Sequence, residues 1–70
     1  MSETAIQLGS HVTPIKENTV ARTADNDFRH FHPRQRLVVI SLGCGLAICH
    51  LVDADPADLV SLQVADLELW

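Results

Sequence analysis

Lysine and arginine are missing from the second half of this 70-residue sequence. All five cations lie between Lys16 and Arg36, whereas residues 37–70 hold five acids and 22 apolar side chains, against 11 apolar side chains in residues 1–36. The two halves carry formal charges of −5 and +1, which sum to the net charge of −4. This composition is neither that of a disordered tail nor that of a strongly basic nucleic-acid binder.

The chain also lacks the length for more than one small domain, which excludes two-domain enzymes and repeat arrays. Ordering the apolar half costs about as much free energy as complete burial of its side chains would return. A chain of 70 residues cannot bury all of those side chains. We therefore expect the apolar half to need self-association, a partner chain, or a chain segment that this sequence lacks.

A secretory signal is not predicted, because the first cation is Lys16 and the apolar run begins only at Leu37. Both cysteines, Cys44 and Cys49, lie inside that apolar run. We expect them to be reduced and buried, as thiols usually are in cytosolic proteins. The sequence thus predicts a cytoplasmic protein.

Formal charge is absent from Leu37–Val52, where 12 of 16 residues are apolar. As a helix this run would be about 24 Å long, which is shorter than a hydrocarbon core of about 30 Å, and it contains His50. Arg36 before the run and Asp53 after it give the charge asymmetry of a single span. A membrane span is not favoured, but a single-pass membrane protein or a small non-enzymatic interaction protein is the second interpretation.

Residues 1–33 show no sustained period of 2 or 3.6, and we expect an irregular arm with at most one short helical turn. Residues 37–42 are continuous, apolar and largely β-branched, as in a buried parallel strand. Residues 46–54 suit a short helix that ends before Pro56.

Residues 59–69 are compatible with either a strand or a helix, and we prefer a strand at about 60–66 because a helix already precedes it. The sequence therefore predicts an α/β fold. In this fold the arm at 1–33 is followed, over residues 34–70, by a partial Rossmann-like β-α-β unit.

Glycines in the first turn of a β-α-β unit let the backbone turn sharply and approach a ligand, and an acid after the second strand accepts hydrogen bonds from ribose hydroxyls. Gly43 and Gly45 lie where the first turn of the unit is predicted. Asp66 stands 23 residues beyond Gly43, close to the spacing of about 20 that is expected between the glycines and the acid. The dinucleotide pattern G-x-G-x-x-G ends instead in Ile48, which favours a nucleoside ligand over NAD or FAD.

The block from Val38 to Leu46 resembles motif I of class I S-adenosylmethionine-dependent methyltransferases, and within them the leucine carboxyl methyltransferase and tetracenomycin-type O-methyltransferase group. The resemblance covers about residues 34–69. It implies that Gly43 and Gly45 lie beside the methionine part of S-adenosylmethionine and that Asp66 binds its ribose hydroxyls. Because the later strands of that fold are missing, it implies an N-terminal fragment or degenerate copy that is not catalytic alone.

Gly43 to Leu46 is also similar to the Gly-Leu-Arg segment of tyrosine recombinases, with Ala47 where the catalytic arginine would stand. That resemblance implies an inactive DNA-binding remnant. Three arginines near Phe28 could contact nucleic acid, but beside an acidic half they do not favour it. No metal site is predicted, because the spacing of the candidate ligands matches no known pattern; these are His30, His32, Cys44, Cys49 and His50.

Overall fold

Seven strands form one antiparallel sheet in this computed structural model, which describes residues 6–70. The strands are β1 (His11–Pro14), β2 (Thr19–Thr23), β3 (Phe28–Phe31), β4 (Leu37–Gly43), β5 (Leu46–Leu51), β6 (Val60–Gln63) and β7 (Leu67–Leu69). A 3₁₀ turn, Val64–Asp66, connects β6 to β7, and no α-helix occurs among residues 6–70. The order across the sheet is β3-β2-β6-β5-β4-β1-β7.

The predicted β-α-β unit is wrong because its helix is a strand. Residues 46–51 form β5, which pairs antiparallel with β4 on one side and with β6 on the other. Residues 37–42 do form a strand, β4, but it pairs antiparallel with β1 and β5 and is half exposed, so the predicted buried parallel strand is wrong. The strand predicted at 60–66 ends at Gln63. Short apolar runs satisfy a helical and a strand pattern equally well, so pairing with distant strands decides between them.

The Gly43-Cys44-Gly45 segment is the tight turn of the β4–β5 hairpin. Gly43 pairs with Leu46, so only two residues connect the strands. Cys44 has a φ of 53° and Gly45 a φ of 78°, the pattern of a type I′ turn, whose twist matches that of antiparallel strands. Glycine suits position 45 because a Cβ disfavours this left-handed conformation, and Cys44 adopts it against that preference.

Replacing Cys44 by asparagine is expected to raise the free energy of unfolding by about 0.5 to 1 kcal/mol, because Asn-Gly is a favoured type I′ pair. Urea unfolding monitored by circular dichroism measures the change. The matched variant Cys44→Val places a β-branched residue at positive φ and is expected to lower stability by about 1 kcal/mol. A more stable Cys44→Val variant would contradict the positive φ of residue 44 and with it the type I′ turn.

The irregular arm predicted for residues 1–33 is also wrong, because residues 11–31 contain three strands. Residues 1–5 of that arm lie outside the described part of the chain. β2 and β3 are joined by the four-residue connection Ala24–Asp27, where the Thr23 amide donates to the Asp27 carbonyl at 2.8 Å and Asn26 has a φ of 65°. Strands of four or five residues bury too few side chains each for the alternation to be visible in the sequence.

The core collects alternate side chains from all seven strands into one cluster, so the single sheet curls around it. Cys49 on β5, for example, lies between Val39 on β4 and Val60 on β6. The cluster consists of Val12, Ala21, Phe31, Leu37, Val39, Ala47, Cys49, Val60, Leu62 and Leu67.

The run Leu37–Val52, considered above as a single membrane span, is divided between β4 and β5. Among residues 6–70, no helix has the length and apolar character needed to cross a bilayer.

Candidate functional site

The residues predicted to bind S-adenosylmethionine lie at one end of the sheet. Gly43 and Gly45 are in the hairpin turn, and the Gly45 carbonyl accepts a hydrogen bond from the Val64 amide at 2.9 Å, which brings the turn close to the 3₁₀ turn that ends at Asp66. The side chain of Asp66 lines a separate open groove with Lys16.

The glycines show no cradle for a ligand among the described residues. No atom outside the adjoining residues lies within 4 Å of a Cβ placed on Gly43 or Gly45. The conformation of Gly45 serves the tight turn, and the β-α-β frame on which the resemblance depends is not present. S-adenosylmethionine binding therefore stays a prediction from the sequence.

Three exposed apolar side chains adjoin on the side of β2, β3, β5 and β6 that faces away from the core, which we call the outer face. Strand alternation and register place on it Val20, Arg22, Phe28, His30, Leu46, Ile48, His50, Ser61 and Gln63. Phe28 is 56%, Val20 51% and Leu46 42% exposed, and the three line one shallow depression. Adjoining exposed apolar side chains of this kind are typical of binding surfaces.

Ser61 is at the centre of the outer face. It pairs with Arg22 on β2 and with Ile48 on β5, while Arg22 also pairs with Phe28 on β3. A row of four side chains therefore crosses four strands. Because serine is shorter than its neighbours, the surface is concave there, and two depressions of about 180 and 260 Å³ meet at Arg22 and Ser61.

The strands of the outer face carry no carboxylate, and Glu17 and Asp66 border the face in the groove that they share with Val20 and Gln63. Strands β1 to β6 contain neither aspartate nor glutamate, and the acids among residues 6–70 lie in the connections or on β7. The Arg22 guanidinium lies over the Phe28 ring, 5.7 Å from its centroid. The one ion pair among residues 6–70 joins Arg29 to Asp58, so Arg22 is available to an external carboxylate.

Side chains occupy two outward-facing amides at the ends of the β3 edge. The bond between the Thr23 amide and the Asp27 carbonyl sets the alternation so that the Phe28 amide points away from β2. That amide donates to Asp27 Oδ1 at 2.9 Å, and the His32 amide donates to Gln35 Oε1 at 2.7 Å. Occupied amides of this kind hinder addition of a further strand at the two ends of this edge.

Both cysteines are free thiols, and Cys49 is buried as predicted. Cys44 is exposed at the hairpin turn, so its predicted burial is wrong. In the described part of the chain, no group of three His, Cys, Asp or Glu side chains has an arrangement that could hold a metal ion.

Sequence reasoning missed the outer face because its side chains come as single residues from four strands. One signal was present: two six-residue apolar runs, Leu37–Leu42 and Leu46–Leu51, flank the glycine turn symmetrically. That symmetry is typical of a hairpin. In a hairpin, alternate residues of both runs lie on the face of the sheet opposite the core.

Comparison of the chain with protein-family models, with curated proteins and with solved structures gave no match. The candidate site therefore depends on the geometry and charge of the outer face.

Proposed function

We propose that this chain is a non-enzymatic interaction module of the cytoplasm, whose outer face binds an acidic, apolar segment of a partner protein. The observation that carries the proposal is a partly apolar face whose strands hold an arginine and no carboxylate, on a chain with a net charge of −4. Phe28, Val20 and Leu46 supply apolar contact area, and Arg22 supplies a charge-assisted hydrogen bond to a carboxylate. The exposed free thiol of Cys44 supports a reducing compartment.

Two other occupants fit the outer face less well. Single-stranded nucleic acid needs successive stacking platforms and several cations, whereas this face has one phenylalanine, Phe28, and one arginine, Arg22. Docking of two copies face to face would bring the Arg22 side chains of both copies together, and like charges oppose such an interface.

Fluorescence anisotropy of a labelled peptide tests the proposal. The probe is a ten-residue peptide of alternating aspartate and leucine, and a lysine–leucine peptide of equal length is the comparison. We expect the acidic peptide to bind and the basic peptide not to bind. Arg22→Glu is expected to weaken the acidic complex at least about 10-fold, because an attractive contact becomes repulsive.

Arg36→Glu is the matched control, since it makes the same charge change in the β3–β4 connection, and Arg36 lines neither depression of the outer face. It is expected to change the affinity less than about twofold. If both variants weaken binding of the acidic peptide equally, the effect is one of long-range charge, and the outer face is not the binding site. Tighter binding of a ten-nucleotide single strand than of the acidic peptide, or formation of a dimer, would overturn the proposed partner if Arg22→Glu abolishes it.

A further inference from the structure

A second concave site lies away from the outer face, where β4 begins and β5 ends. It is an open groove of about 410 Å³ whose lining includes Arg34, Arg36, Leu51, Asp53, Ala54 and Trp70. This volume is within the usual range for small-molecule sites. Two of the five cations of the chain and its one tryptophan come together in this groove.

Arg34 holds a backbone conformation that normally selects glycine. The Gln35 amide donates to the His32 carbonyl at 3.2 Å, which closes a turn with Pro33 and Arg34 at its centre. Arg34 has a φ of 83°, as the third residue of a type II turn requires. Its amide donates to Thr13 Oγ1 at 3.1 Å. A non-glycine residue is strained at this position, and such strain is typical of functional sites.

Arg36 and Trp70 form the other wall. The Arg36 guanidinium lies 5.1 Å from the centroid of the Trp70 ring, and Trp70 remains 56% exposed. Neither Arg34 nor Arg36 forms an ion pair within residues 6–70, although Asp53 lines the same groove. The groove thus combines two available guanidinium groups, an exposed indole and one carboxylate.

We propose that this groove binds a planar aromatic ring that carries an anionic group, the chemistry of a nucleoside monophosphate. The ring stacks beside the Arg36–Trp70 pair, as aromatic rings and guanidinium planes do. The phosphate accepts hydrogen bonds from Arg34 and Arg36, and Asp53 accepts one from a sugar hydroxyl. A free nucleotide and a nucleotide within a single strand share this chemistry. The site is independent of the outer face and of its acidic partner.

Trp70 fluorescence gives a direct measurement, because the chain has one tryptophan and no tyrosine. We expect adenosine monophosphate to quench it saturably. Adenosine, which lacks the anion, is expected to bind at least about 10-fold more weakly, and inorganic phosphate is expected to compete. A ten-nucleotide oligoadenylate that binds much more tightly than the mononucleotide would assign the same chemistry to a single strand. No saturable quenching at about 10 mM adenosine monophosphate would overturn the proposal.

Arg34→Gly separates binding from folding. Glycine relieves the strain at φ 83°, so the variant is expected to have a higher Tm while binding adenosine monophosphate at least about 10-fold more weakly. Lys16→Ala removes a cation outside the groove and is expected to leave that affinity unchanged. Unchanged nucleotide affinity in Arg34→Gly would overturn the proposal. The acidic peptide should bind this variant normally, so a failure here is distinct from a failure of the outer face.

Discussion

Leu62→Ala is expected to lower the free energy of unfolding by about 2 to 5 kcal/mol, which is enough to unfold much of a domain this small. Leu62 on β6 is 1% exposed and pairs with Ala47 on β5, itself fully buried. With alanine at both positions, the two neighbouring strands would leave a cavity between them. Urea unfolding monitored by circular dichroism measures the loss.

Leu46→Ala is the matched control. Leu46 lies on the adjacent strand β5, but its side chain is on the outer face and 42% exposed. Its truncation is expected to cost less than about 1 kcal/mol, because little apolar surface is lost from the core. Equal losses from the two truncations would contradict the assignment of the two faces of the sheet.

The thiol of Cys49 is expected to react with iodoacetamide at least about 100-fold more slowly than that of Cys44 at pH 8. Cys49 is fully buried, and this burial raises the pKa of its thiol from an ordinary 9.0 to about 11. The reactive thiolate is therefore scarce as well as inaccessible. Mass spectrometry of the partially alkylated chain measures both rates. In urea the two rates should converge, and similar rates in the folded protein would contradict the burial of Cys49.

The same shift makes stability depend on alkaline pH. A thiol whose pKa is raised by folding keeps its proton in the folded chain and releases it first in the unfolded chain. Stability is therefore complete below about pH 9 and decreases as the pH rises towards about 11, by roughly 2 to 3 kcal/mol in total. Cys49→Val should remove most of this decrease. If Cys49→Val loses as much stability at alkaline pH as the unmodified chain does, groups other than the Cys49 thiol cause the loss.

Only the part of the fold that depends on local sequence was predictable. The strand at 37–42 was recognisable because six apolar, largely β-branched residues lead into a glycine. The helix predicted at 46–54 failed because the spacing of Leu46 and Cys49 by three fits a helix, whereas Ala47 and Cys49 at a spacing of two fit a strand. The pairing of these residues with β6 determines that they form a strand, and β6 lies beyond the connection at 52–59.

The candidate site was harder to predict than the fold. The Gly-Cys-Gly segment satisfies the requirements of a cofactor loop and those of a type I′ turn, because both need positive φ. The outer face has no motif, since Arg22 and Ser61 are 39 positions apart in the sequence and become neighbours only through the β2–β6 pairing. Such a juxtaposition follows from strand order, which short-range patterns do not specify.

Both the core and the outer face require that β5 is a strand between β4 and β6, and nuclear Overhauser contacts test this most directly. The hydrogen bond between Gly45 and Val64 makes Leu46–Gln63 and Ile48–Ser61 the close, non-hydrogen-bonded pairs of the β5–β6 ladder. We predict strong Hα–Hα contacts within both pairs. Sequential amide–amide contacts along residues 46–54, together with Hα-to-amide contacts three residues apart, would show a helix and contradict this account.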